Sequence, residues 1–214
     1  MRLPDPPLLV ITDRHQARAS LEDAAKALFA AGCRWLSLRE KDLPGAERTA
    51  LLRRLVTLGA AWNATVMIHD DLAAVIETGA SGLHLPAGAS VAAARRRLGA
   101  AVLIGQSAHD GDAILRAAGE GADYVTLSPI FITASKPSYG PALGLSFFAQ
   151  RWPLPVLALG GIDETNIAAC LESGAAGAAV MGGAMRAEDP GLFMAGLLAR
   201  MGRRLAPNQG CTHS

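Results

Sequence analysis

Two short apolar runs, each ending in paired glycine, constrain this chain more than any other feature. Val156-Leu157-Ala158-Leu159 runs into Gly160-Gly161, and Ala178-Ala179-Val180-Met181 runs into Gly182-Gly183. Continuous apolar runs without polar alternation suit strands buried on both faces, as parallel strands under helices are. Glycine at the carboxyl end of such a strand lets backbone N–H groups approach a ligand, and N–H groups at a following helix start favour an anion. Two such turns in succession read as the phosphate cradle that follows strands 7 and 8 of an eight-stranded α/β barrel. The plainer alternative is that each pair only closes a tight loop.

A barrel needs six earlier strands. Buried runs at Leu8–Ile11, Trp35–Leu38, Thr65–Ile68, Gly82–Leu85, Val102–Ile104 and Tyr124–Leu127 supply them. Helices are expected between them: from Leu21 to Ala31 behind a Ser20 cap, Ala46 to Leu58, Leu72 to Thr78, a stretch after Ser90, and Gly111 to Ala118. Three more follow at Leu145 to Arg151, Thr165 to Ser173 and Pro190 to Leu205. In the second helix Leu51, Leu52, Leu55 and Leu58 share one face, with Arg48, Arg53 and Arg54 on the wet side. Gly32, Gly79, Gly121 and Gly174 each stand between a helix and the next strand, a weak internal repeat of two strand–helix units. An open doubly wound sheet would want phosphate glycines after strand 1, where this chain has Thr12-Asp13. The expectation is a single-domain (βα)8 TIM barrel over residues 1–205, near the short end of its class, with a frayed tail over 206–214.

Composition narrows the partners. Charged residues make up 18% of 214 and the formal net charge is +1, so no broad basic surface is expected to hold nucleic acid or an anionic membrane. Cys33, Cys170 and Cys211 lie far apart without ligand spacing, and read as free thiols of a reducing cytoplasm. The first residues show no apolar h-region and no run suits a membrane span. Exposed apolar helix faces on a small barrel leave room for pairing into a homodimer.

At the strand carboxyl ends stand Asp13, Arg39, Lys41, His69, Asp70, Asp71, Ser107 and His109. Arg39 and Lys41 alternate along an extended chain, so both point one way and can grip a polyanion; the competing reading is an ion-pair belt with Glu40 and Asp42. Lys136 would reach in from the long loop 128–144, which also carries Thr133 and Ser135. Asp70 can hold Mg2+ through one carboxylate, since that ion keeps waters and takes further oxygens from substrate phosphate. Asp71 is expected to open the third helix. His69 reads either as a proton-handling group or as a hydrogen-bonding wall residue, and His84, within an apolar strand, as core. A cradle on one side and separate cations on the other suit transfer with diphosphate as leaving group.

These motifs resemble the thiamine phosphate synthase and TenI superfamily over nearly the whole chain. The resemblance rests on Ile11-Thr12-Asp13, Leu38-Arg39-Glu40-Lys41, His69-Asp70-Asp71, Gly82-Leu83-His84-Leu85, Ser107 with His109, Thr133-x-Ser135-Lys136 and Gly160-Gly161-Ile162. It implies joining of a hydroxymethylpyrimidine diphosphate to a thiazole phosphate with release of diphosphate. By the same resemblance Arg39, Lys41, Ser107 and Lys136 would hold the diphosphate and Asp70 the Mg2+. His69, Thr133 and Ser135 would meet the substrates, and Gly161, Gly182 and Gly183 the thiazole phosphate. The chain differs from the synthase pattern in Ser37 for Gln, His69 for Asn and Ala89 for a second metal-binding Asp. Leu85-Pro86-Ala87-Gly88 is similar to the TenI branch, whose chemistry is thiazole phosphate tautomerisation, yet Pro129 stands where that branch has a His. A tautomerase, with His69 as base, and a module that binds thiamine or thiazole phosphate without turnover are the alternatives.

Overall fold

In the computed structural model, which describes residues 3–132 and 141–202, all the paired-glycine and buried runs become strands of one closed barrel. The strands are β1 (Leu8–Ile11), β2 (Trp35–Leu38), β3 (Thr65–His69), β4 (Gly82–Leu85), β5 (Leu103–Ala108), β6 (Tyr124–Leu127), β7 (Val156–Leu159) and β8 (Gly177–Val180). Each pairs in parallel with the next, and β8 closes on β1 through Leu8–Ala178, Leu9–Ala179 and Val10–Val180. The barrel predicted from the apolar runs is therefore the fold. The 206–214 tail lies outside the described residues.

Around it run α1 (Leu21–Ala30), α2 (Gly45–Ala60), α3 (Leu72–Thr78), α4 (Val91–Leu98), α5 (Gly111–Gly119), α6 (Ile167–Glu172), α7 (Gly182–Arg186) and α8 (Pro190–Gly202). Ser20, Asp71, Ser90 and Asp110 cap α1, α3, α4 and α5 by accepting the backbone N–H three residues on, each contributing about 1 kcal/mol. Where a helix was expected from Leu145 to Arg151, only a 3-10 turn forms, Leu145–Phe148. Its continuation is broken by Pro153 and by the Trp152 indole N–H, which donates to Phe147 O at 2.9 Å. No described helix is long and apolar enough to cross a membrane.

Because strand side chains alternate, the apolar runs feed two cores. Leu9, Ile11, Trp35, Met67, Leu103, Tyr124, Leu157 and Ala179 fill the barrel, while Leu8, Val10, Leu36, Leu38, Val66 and Ile68 pack outward under the helices. Cys33 and Cys170 are free and buried, and burial pushes both thiols up to about 11, which leaves them protonated and inert at neutral pH. Cys211 lies outside the described residues.

Candidate functional site

A cavity of about 750 Å³ opens at the carboxyl ends of the strands, where a barrel places its chemistry. Arg39, Lys41, His69, His84, Ser107 and His109 line it from the arc of β2 to β5, and Gly160, Gly161, Gly182, Gly183 and Arg186 from the arc of β7 and β8.

The orientation of Arg39 and Lys41 follows from what their acidic neighbours do. Glu40 is 1% exposed; its carboxylate accepts from Thr12 Oγ1 at 2.7 Å and from the Arg14 backbone N–H at 3.1 Å. Thr12 Oγ1 in turn accepts the Arg39 N–H at 2.9 Å. Asp42 takes both guanidinium nitrogens of Arg14 at 2.6 Å and His15 Nε2 at 2.8 Å, and these partners hold its carboxyl well below the usual carboxylate range. The acids are thus engaged by Arg14 and His15, and among the described residues neither Arg39 nor Lys41 forms an ion pair. That excludes the ion-pair belt and leaves two cations facing the cavity.

Below them the inner barrel wall turns polar. Ser37 Oγ and His69 Nδ1 share a hydrogen bond at 2.9 Å. His84 Nδ1 meets the Tyr124 hydroxyl at 3.0 Å, and His84 Nε2 meets Ser107 Oγ at 3.1 Å and Thr126 Oγ1 at 3.4 Å. Burial first, then the positive charges of Lys41 and Arg39, lower His84 to about 3. His69 is lowered well below its ordinary value by burial, then by His84, Arg39 and Lys41. Both imidazoles are neutral at neutral pH. His84 was expected as core; it is fully buried, but it also forms part of the cavity wall and bonds to Ser107.

At the other side the glycine pairs close tight turns at the cavity wall. Gly160 and Gly161 have φ of 98° and 69°, and a Cβ there would come within 2.9 Å of Pro129 Cα and 2.8 Å of Phe131 Cβ. Loop closure therefore demands these glycines, while the same residues also line the cavity. Arg186 was not singled out from sequence. It lies against the Cα of Gly182, where any Cβ would overlap its guanidinium, and it donates to Gln16 Oε1. Its position one helical turn after Gly182 was the available signal.

Asp70 is placed differently from the other rim residues. It is exposed, has a left-handed φ of 54°, and is not among the residues lining the cavity. Its N–H donates to His84 O at 2.9 Å, and its carboxylate accepts no hydrogen bond from any described residue. Asp71 cannot readily substitute: its two oxygens take Ala74 N at 2.9 Å and Arg48 Nη2 at 2.6 Å. No group of three His, Cys, Asp or Glu side chains suited to a metal occurs among the described residues. Thr133, Ser135 and Lys136 lie outside the described residues.

The family model described as thiamine monophosphate synthase matches residues 8–184. A thiamine-phosphate synthase of Methanoculleus marisnigri is 39% identical over 181 residues, 81% of this chain and 85% of the relative. One from Roseiflexus castenholzii is 35% identical over 190 residues, 85% and 82% of the two chains. Among solved structures, thiamine phosphate pyrophosphorylase from Pyrococcus furiosus superposes with a TM-score of 0.83 at 25% identity, covering 93% of this chain and 96% of that one.

Proposed function

The chain belongs to the thiamine monophosphate synthase family, and from that premise we propose that it joins hydroxymethylpyrimidine diphosphate to thiazole phosphate with release of diphosphate. The observation that carries this reading is the division of one cavity into a side with Ser107 and two cations that form no ion pair with any described residue, and a side built from glycine backbone and Arg186. One substrate brings a diphosphate and the other a monophosphate, so two anion subsites are needed.

In this reading Arg39, Lys41 and the Ser107 hydroxyl receive the diphosphate. As the bond from the pyrimidine methylene carbon to the diphosphate oxygen breaks, negative charge grows on that oxygen, and preset cations stabilise it without reorganising. The thiazole nitrogen then forms its bond to the same carbon, held in place by its phosphate at Gly161, Gly182, Gly183 and Arg186. Asp70, whose carboxylate accepts no hydrogen bond from any described residue, is the residue that would hold Mg2+, and the ion would supply positive charge toward the leaving group. Neutral His69, fixed by Ser37, offers the pyrimidine a hydrogen-bonding edge.

Tautomerisation is less well served, because burial and two nearby cations make His69 a weak base. The test is turnover of the two purified substrates with Mg2+. Product should form, and Arg39→Ala or Lys41→Ala should lower kcat/KM about a hundredfold. Absence of product under conditions where both substrates bind would overturn the reading.

A further inference from the structure

Ser107 faces the cavity with one proton and two lone pairs, and which of these it presents decides whether it helps or hinders an anion. The deciding group is His84, whose Nε2 lies 3.1 Å from Ser107 Oγ, nearer than its second neighbour Thr126 Oγ1 at 3.4 Å. If Nε2 accepts, the serine proton points back into the wall and the cavity sees only lone pairs. If Nε2 donates, the serine proton is free for the ligand.

Tyr124 sets that choice. Its hydroxyl has two possible acceptors: His84 Nδ1 at 3.0 Å and Met67 Sδ at 3.5 Å. The thioether is the weaker acceptor and already receives the Trp35 indole N–H at 3.0 Å. A phenol is also a stronger donor than an aliphatic hydroxyl, so the proton belongs between Tyr124 and Nδ1. A neutral ring that accepts at Nδ1 carries its hydrogen on Nε2. The barrel wall makes room for this arrangement at Gly105, where any Cβ would overlap the Tyr124 ring. Trp35 packs edge-on against the same ring at 4.8 Å between centroids.

We infer that Tyr124 and His84 form a buried donor chain, Tyr124 hydroxyl to His84 Nδ1 and His84 Nε2–H to Ser107 Oγ, that turns the Ser107 proton toward a bound diphosphate. Tyr124 and His84 are positioning residues; of these three, only Ser107 would meet the ligand, beside Arg39 and Lys41. The inference rests on the synthase reading only for the identity of the anion.

Nitrogen-15 NMR of histidine-labelled protein without ligand tests the chain directly, with the His84 signals assigned by their loss in His84→Gln. The expected result is hydrogen on Nε2 and a bare, hydrogen-bonded Nδ1, whose resonance moves in Tyr124→Phe. Calorimetry with inorganic diphosphate should show binding weakened roughly fivefold in Tyr124→Phe and more than tenfold in Ser107→Ala. Hydrogen on Nδ1, or on both nitrogens, would overturn the chain, as would Tyr124→Phe binding diphosphate like the wild type. If the wild-type protein binds no diphosphate at all, the synthase reading fails while the tautomer still decides the chain. Tyr124→Phe keeps the ring on Gly105 and Trp35, and an unchanged melting temperature shows that any loss is not unfolding.

Discussion

Arg39 and Lys41 were legible in the sequence because alternation along an extended strand end is a local rule, independent of how the rest of the chain folds. What alternation could not say was where Glu40 and Asp42 would go. That depended on Thr12, Arg14 and His15 from the neighbouring loop. Arg186 and Tyr124 were missed, and His84 was read as core without its polar partners, for the same reason: their roles come from partners that are near only once the barrel has closed. Arg186 gives a residue-scale prediction. A cation over the glycine side should act on the monophosphate substrate alone. Steady-state kinetics of Arg186→Ala should show a KM for thiazole phosphate raised about tenfold, with the KM for the pyrimidine diphosphate unchanged. Equal increases in both would contradict the two-sided assignment.

At the scale of elements, the β1 and β2 loops act as one clamp. Thr12 both donates to the buried Glu40 carboxylate and accepts from the Arg39 N–H, so it joins two loops with one hydroxyl. Thr12→Val keeps the shape and removes both bonds, leaving a buried charge short of a donor. Chemical denaturation should show a loss of about 1–3 kcal/mol, and kcat/KM should fall although Thr12 itself touches no substrate. Wild-type stability with wild-type activity would show that Glu40 does not hold the cations in place. Element boundaries were readable where apolar runs ended abruptly, as in β1, β2, β4 and β6. β5 runs on to Ala108 through Gly105, Gln106 and Ser107, residues that look like a loop. They stay in the strand because Gln106 donates to Pro86 O at 3.1 Å and Ala89 O at 2.6 Å, Ser107 meets His84, and Gly105 admits Tyr124. The polar groups are satisfied inside the wall, which no local pattern reveals.

Across the whole molecule the fold was the most legible feature, since eight buried runs with glycine-marked junctions leave few closed topologies. The polar interior carries a consequence for stability. His84 is fully buried and neutral in the native protein with a pKa of about 3, whereas the unfolded chain takes up a proton near 6.5. Between those values the unfolded state binds the extra proton, so stability falls as pH falls, by about 1.4 kcal/mol per pH unit, and is unaffected by this group above 6.5. Melting temperatures should be flat from pH 8 to 7 and drop steadily from 6 to 4; a flat profile down to 4 would mean that the ring is charged or solvated in the native state. The central claim, two anion subsites facing each other across one cavity, is tested most directly by a crystal structure with Mg2+, inorganic diphosphate and thiazole phosphate. Diphosphate oxygens about 3 Å from Arg39, Lys41 and Ser107, with the monophosphate on Gly161, Gly182, Gly183 and Arg186, is the predicted result. Both anions on one side, or neither in the cavity, would contradict it.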